Sequence, residues 1–166
     1  MSGPKFFAYP GQGEVLRSQL WYSQSVRIGD RIDISGQGTY RASPFPFSVS
    51  ALLSPLTRCL PGGWDPTTGV MKPTLLSELD QAFENVDLAL RNAGGKGWEQ
   101  VYKVRMYILE SVMDNEEFLG RAIENLKRWV PGHQPLLTAV GVAKLGAGSS
   151  SGMRVEIEVE AWDPKE

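Results

Sequence analysis

The C-terminal part of the chain contains a run, 153–162, in which apolar and polar residues alternate almost perfectly. Successive side chains of a β-strand point to opposite faces of a sheet, so this period of two predicts a strand with one face in a core. Any fold of this chain must bury that face and accommodate a row of glutamates on the other. The core set is Met153, Val155, Ile157, Val159 and Ala161, and the opposite set is Arg154, Glu156, Glu158, Glu160 and Trp162.

Two other segments have the period of an amphipathic helix. From Thr74 the apolar residues recur with i, i+3, i+4 spacing until Gly94-Gly95, where a left-handed C-cap costs little. A second helix is predicted to begin at Asp114, with Glu117 as its capping-box partner, and to end at Pro131-Gly132. The predicted buried stripes are Leu76, Leu79, Phe83, Val86 and Leu90 in the first helix and Phe118, Ala122, Leu126 and Trp129 in the second.

Four further strands are predicted from short β-type runs. Residues 25–28 and 31–35 form a hairpin around Gly29-Asp30, a favoured turn dipeptide. Residues 136–143 are small and apolar at nearly every position, as in a strand that is covered on both faces. Residues 100–109 alternate, with Tyr102, Val104, Met106 and Ile108 predicted on one face and Lys103, Arg105 and Tyr107 on the other.

The predicted order β-β-α-β-α-β-β fits a single α+β domain over residues 1–166, with one sheet and both helices on one of its faces. A chain of 166 residues is long enough for one domain with a sizeable core and too short for two ordinary ones. This layout leaves the second face of the sheet uncovered. Because the run 136–143 is apolar on both sides, we expect another copy of the chain to bury part of that face, with solvation as the alternative.

Composition restricts the classes of partner. Seventeen Lys and Arg against nineteen Asp and Glu leave a formal charge of -2, which disfavours a nucleic-acid partner. The only cysteine, Cys59, and the only histidine, His133, cannot form an intramolecular disulfide or a Cys/His zinc cluster, and we expect neither a metal nor a cofactor. Without a signal-peptide core or a membrane-spanning run, we expect a soluble protein of the cytoplasm or the mitochondrion, with no membrane partner.

Six short segments stand in a recognisable order and spacing along nearly the whole chain. They are Tyr-Ser-Gln-Ser-Val at 22–26, Ile-Ser-Gly-Gln at 34–37, Phe-Glu-Asn-Val at 83–86, Ala-Gly-Gly at 93–95, Val-Tyr-Lys-Val at 101–104 and Arg-Val-Glu-Ile-Glu at 154–158 before Ala161. In these segments the sequence resembles the RidA/YjgF family, also called the L-PSP endoribonuclease family. The resemblance implies a chorismate-mutase-like α+β fold and a homotrimer with three small-molecule clefts at the subunit interfaces.

The resemblance also implies a chemistry and some of its residues. In the best-studied branch of the family, the cleft hydrolyses reactive enamines and imines to keto acids and ammonia. This reaction needs a cation, ideally arginine, to hold the substrate carboxylate, and a group that delivers water to the C=N carbon. Glu156 matches the water-positioning carboxylate of the family, Tyr22 a tyrosine near the cleft wall, and Ser35 the serine of the Ser-Gly-Gln turn.

The chain departs from the family at the residue that holds the substrate. Leu137 stands where the deaminases have their arginine, and Thr138 follows it. An aliphatic side chain cannot clamp a carboxylate, and the loss of such a charged contact costs roughly 2–5 kcal/mol of binding. We therefore expect imines derived from amino acids to be poor substrates, and a larger, less anionic ligand to bind beside Leu137 and Thr138.

Two of the candidate residues keep a structural alternative. Arg105 lies on the polar side of its strand, where it is either a substitute for the missing clamp or a salt-bridge partner of the glutamate row. Glu156 is either the catalytic carboxylate or one member of that row, paired to Arg154 or Arg105. Neither His133, in a loop after the second helix, nor Cys59 is expected to be catalytic.

One segment, 39–62, has no counterpart in the family, which passes from the Ser-Gly-Gln turn almost directly into a Trp-Asp-Pro turn like that at 64–66. The segment has four prolines, two arginines and no acidic residue. One interpretation is a lid over the cleft, because the segment leaves the Ser-Gly-Gln turn. The other, which we favour, is a translated intron, because its removal restores a continuous Ser-Gly-Gln-Gly-Gly-Trp-Asp-Pro junction.

Two functions of different classes follow. The first is a RidA-like hydrolase, or a related lyase, that acts on an enamine, an imine or a similar electrophile with Glu156 positioning water. The second is a non-catalytic trimer that binds small molecules or partner proteins. Ribonuclease activity has little support in an acidic chain with no identifiable phosphate-binding cluster.

Overall fold

Six strands and four helices are formed by the residues that the computed structural model describes, which are 3–37, 65–67, 72–145 and 152–164. The predicted insertion 39–62 lies outside these ranges. Among the described residues, no helix is both long and apolar enough to cross a bilayer. In chain order the elements are β1 (Lys5–Phe7), α1 (Gln12–Leu20), β2 (Ser25–Ile28), β3 (Arg31–Gln37), α2 (Leu75–Asn92), a 3₁₀ turn (Trp98–Gln100), β4 (Val101–Leu109), α3 (Glu110–Met113), α4 (Glu116–Trp129), β5 (Leu136–Val142) and β6 (Val155–Trp162).

The strand with the strict alternation, β6, lies in the middle of the sheet. The strand order is β1-β2-β3-β6-β4-β5, and β6 pairs antiparallel with both β3 and β4. The pairing of β4 with β5 is parallel, because the helices α3 and α4 carry the chain back to the starting end of β4. This order leaves β1 and β5 at the two edges of the described sheet.

The predicted hairpin and the first long helix are confirmed. Gly29, between β2 and β3, has a φ of 62°, a left-handed conformation that glycine adopts without strain. Thr74 caps α2 in a capping box, in which the Ser77 N–H donates to Thr74 Oγ1 and the Thr74 N–H donates to Ser77 Oγ, both at 3.2 Å. The helix ends before Gly94, whose φ of 79° is also left-handed.

The predicted start of the second long helix is wrong by one residue. Asn115 caps α4, and its Oδ1 accepts a hydrogen bond from the Phe118 N–H at 2.9 Å. Asp114 instead follows the short helix α3, which the sequence patterns do not predict. Because aspartate and asparagine are equally good N-caps, residue type cannot rank two adjacent candidates.

The predicted face of Tyr102 is also wrong. The other three members of its predicted face are buried, whereas Tyr102 is 36% exposed. A β-bulge in β4 sets Val101 and Lys103 opposite consecutive residues of β6, so the alternation slips by one residue at this point. Val101 therefore takes the buried position, and Tyr102 lies outside the core.

Two N-terminal elements, β1 and α1, are missing from the predicted order. The strand β1 has three residues, and α1 buries only Gly13 and Leu16 of its nine. Elements this short or this weakly amphipathic leave no periodic signal. With these elements and α3 added, the predicted α+β class and the order of the remaining elements are confirmed.

The core lies between one face of the sheet and the helices α2 and α4. Phe83 of α2 stacks on Trp98 with ring centroids 4.8 Å apart, and Trp129 of α4 lies 6.4 Å from Trp98. The indole N–H of Trp98 donates to the Phe83 carbonyl at 2.9 Å. All five apolar residues of the 153–162 alternation are buried in this layer or beside it. Both long helices thus cover the same face, as predicted.

The edge strand β5 differs from its prediction in burial. The sequence predicts cover on both faces, yet in a single chain every residue of β5 except the last is exposed. Leu136 is 69% exposed and Leu137 is 49% exposed. Apolar side chains together with the unpaired backbone groups of an edge strand form a template for association. The described residues of one chain therefore do not supply cover for this strand.

Replacing Trp98 with phenylalanine removes a buried hydrogen bond and part of the ring that stacks on Phe83. We expect the free energy of unfolding to fall by roughly 2–4 kcal/mol, because a donor is lost and a cavity is left. Trp21, which is 93% exposed, offers a matched control, and Trp21→Phe should change the same quantity by less than about 0.5 kcal/mol. Urea unfolding followed by circular dichroism measures both, and equal losses would contradict a core built around Trp98.

Candidate functional site

The face of the sheet opposite α2 and α4 carries rows of polar residues that run across its central strands. In the register of β4 and β6, the neighbours are Lys103 with Glu160, Arg105 with Glu158, and Tyr107 with Glu156. Residues paired across adjacent strands share a face of the sheet. The predicted glutamate row therefore lies beside two cations and a tyrosine.

A cleft of about 360 Å³ opens over the first two of these pairs, and its volume lies in the range of small-molecule pockets. Tyr107 and Glu156 lie on the same face but are not among its lining residues. The sheet forms its floor, with residues from β1, β2, β3, β4 and β6. Its charged lining is Arg31, Asp33, Lys103, Arg105, Glu158 and Glu160, and its other lining residues include Phe6, Ser23 and Ser35.

Glu160 is held by four neighbours at one end of the cleft. Its Oε1 lies 2.9 Å from Lys103 Nζ and 3.5 Å from Arg105 Nη1. Its Oε2 accepts a hydrogen bond from the Tyr102 hydroxyl at 2.8 Å and lies 3.3 Å from Arg31 Nη2. The hydrogen bond from Lys103 is the main cause that lowers the pKa of Glu160 below its ordinary value. Glu160 is therefore an ionised partner of the cleft cations.

Arg105 lies in the cleft, where its guanidinium is already paired. Its Nη1 is 3.8 Å from Glu158 Oε2 and 3.5 Å from Glu160 Oε1. Arg105 is therefore a salt-bridge partner of the glutamate row, which is one of the two roles considered for it. Its side chain is still 39% exposed. Its role as a substitute clamp stays a prediction.

Glu158 has two partners on β4. Its Oε2 accepts a hydrogen bond from the Tyr107 hydroxyl at 3.0 Å, and Arg105 lies near the same oxygen. Burial and this hydrogen bond raise the pKa of Tyr107 above its ordinary value, so the phenol stays protonated and donates. Glu158 is thus bonded, though less completely than Glu160.

Glu156 differs from the other two glutamates because it makes no ion pair within the described residues. Its suggested partners are engaged elsewhere: Arg154 Nε lies 2.6 Å from Glu78 Oε2, and Arg105 faces the other two glutamates. Burial, and then the charge of Glu158, raise the pKa of Glu156 above its ordinary value. A carboxyl group in this state can take up and release a proton closer to neutral pH, as acid–base catalysis requires.

Gly36 leaves the space that the Glu156 carboxylate occupies. Ser35 and Gly36 form a bulge in β3. Ile34 pairs with Val159 and Gln37 with Ile157, so two residues of β3 lie between these pairs where β6 has only one. A Cβ at Gly36 would overlap the carboxylate of Glu156, so any side chain here would push that group away. The Ser-Gly-Gln segment therefore positions Glu156 by lacking a side chain at its centre.

Ser35 lines the cleft on the side towards β2, whereas Tyr22 is not among the lining residues. The Ser35 hydroxyl and the Ser35 N–H donate to the Gln24 carbonyl at 3.1 and 2.9 Å. Ser35 thus ties its bulge to the segment before β2 and also lines the cleft. Tyr22 is partly buried in that same segment. Contact of either residue with a ligand stays a prediction.

Leu137 and Thr138 lie on opposite faces of β5. Thr138 is the register partner of Arg105 and shares its polar face, whereas Leu137 is the partner of Val104 and lies on the helix side. Within one chain, the sheet therefore separates Leu137 from Glu156. The two residues can belong to one cleft only where the β5 edge of one copy meets the polar face of another.

His133 has a structural contact. Its Nε2 lies 2.7 Å from the Val101 carbonyl oxygen, and because a carbonyl only accepts, Nε2 carries the proton. Cys59 lies outside the described residues. Within the ranges that the structure describes, no three His, Cys, Asp or Glu side chains converge to hold a metal ion.

Sequence reasoning missed part of the cleft lining. Lys103 lies on the polar side of its predicted strand, so the alternation alone could have predicted it as a lining residue of the cleft. Phe6 belongs to β1, which had no signal. Arg31 and Asp33 follow the turn of the predicted hairpin. The contact of Arg31 with Glu160, and the pairing of Asp33 opposite Glu160, follow only from the position of β6 beside β3.

Comparison with known proteins gives a family match. The family model described as Endoribonuclease L-PSP matches residues 61–162. No curated protein sequence matches the chain.

Solved structures share the fold at low sequence identity. A member of the YjgF/YER057c/UK114 family from Mycobacterium tuberculosis is 18% identical, with 96% of this chain and 99% of that chain covered and a TM-score of 0.63. RidA from the Antarctic bacterium Psychrobacter sp. PAMC 21119 is 24% identical, with 85% and 87% covered and a TM-score of 0.60. The YjgF gene product of E. coli is 19% identical, with 85% and 87% covered and a TM-score of 0.60. These matches confirm the chorismate-mutase-like fold.

The raised pKa of Glu156 makes stability depend on pH. Because folding raises this pKa, the favourable contribution of the protonated form is complete below the unfolded value of about 4.3 and is lost as pH rises through the folded pKa. Glu156→Gln, which never ionises, should therefore unfold at a higher urea concentration than the wild type at about pH 7 and at the same concentration at about pH 3.5.

The control for this measurement is Glu84→Gln, which makes the same chemical change on the exposed side of α2. It should follow the wild type at both pH values. A wild type that is as stable as Glu156→Gln at neutral pH would contradict the raised pKa.

Proposed function

The chain belongs to the L-PSP endoribonuclease family, the RidA/YjgF family that its motifs resemble, and on this premise we propose that it hydrolyses imines or enamines of small metabolites at clefts between subunits. The family supports a small-molecule deaminase-like or endoribonuclease-like role. The observation that carries the deaminase-like choice is Glu156, a largely buried carboxylate with a raised pKa and no ion pair within the described residues.

The reaction that suits this site is the addition of water to a C=N bond. As the water oxygen bonds to the imine carbon, ionised Glu156 takes the proton that the water loses. The nitrogen receives that proton, which completes the carbinolamine. Glu156 then takes the hydroxyl proton of the carbinolamine and passes it to the nitrogen, so that the C–N bond breaks and ammonia leaves as the C=O bond forms. Imine and water thus give a carbonyl compound and ammonia, and Glu156 returns to its starting state. Its raised pKa favours this exchange because the acid and base forms are closer in population at neutral pH.

Exposed apolar residues at the two sheet edges support a cleft that is shared between copies. On the polar face, Phe6 of β1 is 59% exposed and Leu136 of β5 is 69% exposed. Because the two edges differ, contact between unlike edges of neighbouring copies is heterologous, and such a contact forms a ring when it closes. A ring of three is what the family resemblance implies. It would also bring Leu137 of one copy to the Glu156 face of the next.

A non-catalytic trimer that binds small molecules or partner proteins is the second candidate, and Leu137 favours it. Its side chain gives the cleft apolar surface where the deaminases of the family have a charge that holds the substrate. Ribonuclease action is less favoured. The described cations of the cleft all face carboxylates, and a phosphate backbone needs cations that are free to bind it.

Ammonia release from a panel of imines, measured with and without protein, tests the hydrolase. Glu156→Gln should lower the catalysed rate roughly 100- to 10,000-fold, the range for a positioned acid–base group. Gly36→Ala should lower it as well, because a Cβ displaces the Glu156 carboxylate. The matched controls are Glu84→Gln and Gly120→Ala, where a Cβ meets nothing within 4 Å. If no imine reacts faster than in buffer, the hydrolase is excluded and the binding protein is favoured.

The oligomer is tested by light scattering at micromolar concentration, which should give three times the 18.3 kDa mass of one chain. Leu136→Lys places a charge on the apolar edge and should shift the protein to monomer with loss of ammonia release. Leu119→Lys on α4, where Leu119 is 41% exposed, should leave both unchanged. A wild-type protein that is a stable monomer would contradict the shared cleft.

A further inference from the structure

We propose that this cleft selects positively charged ligands without a carboxylate, and that its substrates are the iminium forms of simple amines. The inference rests on the proposed function and adds to it the charge of the substrate. It follows from how the charges that line the cleft are paired within one chain.

The described cations of the cleft are already neutralised. Arg31 Nε lies 2.7 Å from Asp33 Oδ1, and Lys103 Nζ lies 2.9 Å from Glu160 Oε1. Arg105 Nη1 lies 3.8 and 3.5 Å from two glutamate oxygens. A carboxylate ligand would have to displace one of these partners and leave it without a cation, at a cost that the new contact does not offset.

Carboxylates outnumber cations on this face. Arg31, Lys103 and Arg105 are matched by three lining carboxylates, and Glu156 adds a fourth that has no ion pair within the described residues. The Glu156 carboxylate lies against Gly36, next to the cleft-lining Ser35. Glu156 thus lies beside the cleft and not in its lining, and the charge of the lining residue Glu158 opposes its ionisation. A cation bound at this end of the cleft offsets that repulsion.

The edge strand that would complete the cleft adds no positive charge. The residues of β5 are Leu-Leu-Thr-Ala-Val-Gly-Val, none of them charged, and the position of the family's clamp is Leu137. An apolar wall from a second copy would exclude bulk solvent from the cleft while leaving room for the one water that reacts. In a less polar medium the attraction between a carboxylate and a cationic ligand is stronger, and so is the repulsion of an anionic one.

This charge pattern suits the reactive form of an imine. A protonated imine is more electrophilic at carbon than the neutral form. Water bonds to that carbon, and Glu156 takes the proton that the water loses and returns it to nitrogen. The C–N bond then breaks, and the remaining hydroxyl proton passes to the released ammonia as the C=O bond forms. Iminium and water thus give a carbonyl compound and ammonium, with atoms and charge conserved and with no oxidant or reductant needed.

The test uses three stable ligands of one shape: benzamidine, benzamide and benzoate, which are cationic, neutral and anionic at neutral pH. Benzamidine carries a planar C=N cation and resists hydrolysis, so binding is measured apart from catalysis. With the wild-type protein at low ionic strength, isothermal titration calorimetry should give a Kd for benzamidine at least about tenfold below that for benzoate, with benzamide between them.

Substitutions test which residues cause the preference for the cationic ligand. Glu156→Gln should weaken benzamidine binding about tenfold, the equivalent of one charge contact, without changing benzamide binding, whereas a merely structural role would affect both ligands alike. Leu137→Arg should reverse the preference towards benzoate. Glu84→Gln, on the exposed side of α2, should leave all three Kd values unchanged.

A benzoate Kd equal to or below that of benzamidine overturns the inference, and so does the absence of binding by both. These results differ from failure of the proposed function. A protein that releases ammonia from imines and prefers benzoate retains the hydrolase and loses the inference. A protein that prefers benzamidine and hydrolyses no imine retains the cation-selective cleft and loses the hydrolase.

Discussion

The central position of β6 is the constraint on which the rest of the structure depends. Its apolar residues close the core beneath the helices, and the same backbone holds three glutamates on the opposite face between β3 and β4. A slip of one residue would carry every apolar side chain of this strand into the polar face. The packing of the core therefore also sets the positions of the glutamates against the cations of β4. The charge pattern of the cleft is a consequence of how the core packs.

The three glutamates of β6 share one strand and one face, yet their surroundings differ along the strand. Glu160 contacts three cations and a tyrosine hydroxyl, and Glu158 contacts one cation and one tyrosine hydroxyl. Glu156, beside the bulge at Gly36, has no ion pair within the described residues. Pairing thus decreases from one end of the row to the other. This gradient separates a carboxylate suited to proton transfer from two that anchor the floor of the cleft.

Much of the fold could be predicted because its main elements carry local signals. The helix α2 has a cap, an apolar stripe and a terminal glycine within one segment, and the β2–β3 hairpin has its turn dipeptide. The bulge at Tyr102 and the cap at Asn115 could not be predicted, because their neighbours in sequence looked equally suitable. In the cleft, Ser35, Arg105 and Glu158 lie on positions that motif or alternation indicated. The role of Gly36 was invisible, because it depends on a strand far along the chain.

Taken alone, the sequence determined the buried face of β6 and most of the buried stripes of α2 and α4, and it determined which family the motifs resemble, since these are properties of near neighbours along the chain. Tertiary structure decided which residues meet across strands. It placed β6 beside β3 and β4, paired Arg105 with Glu158, and set Leu137 and Glu156 on opposite faces of the sheet. These relations join segments that are far apart in the chain, and a local period carries no information about strand order or register.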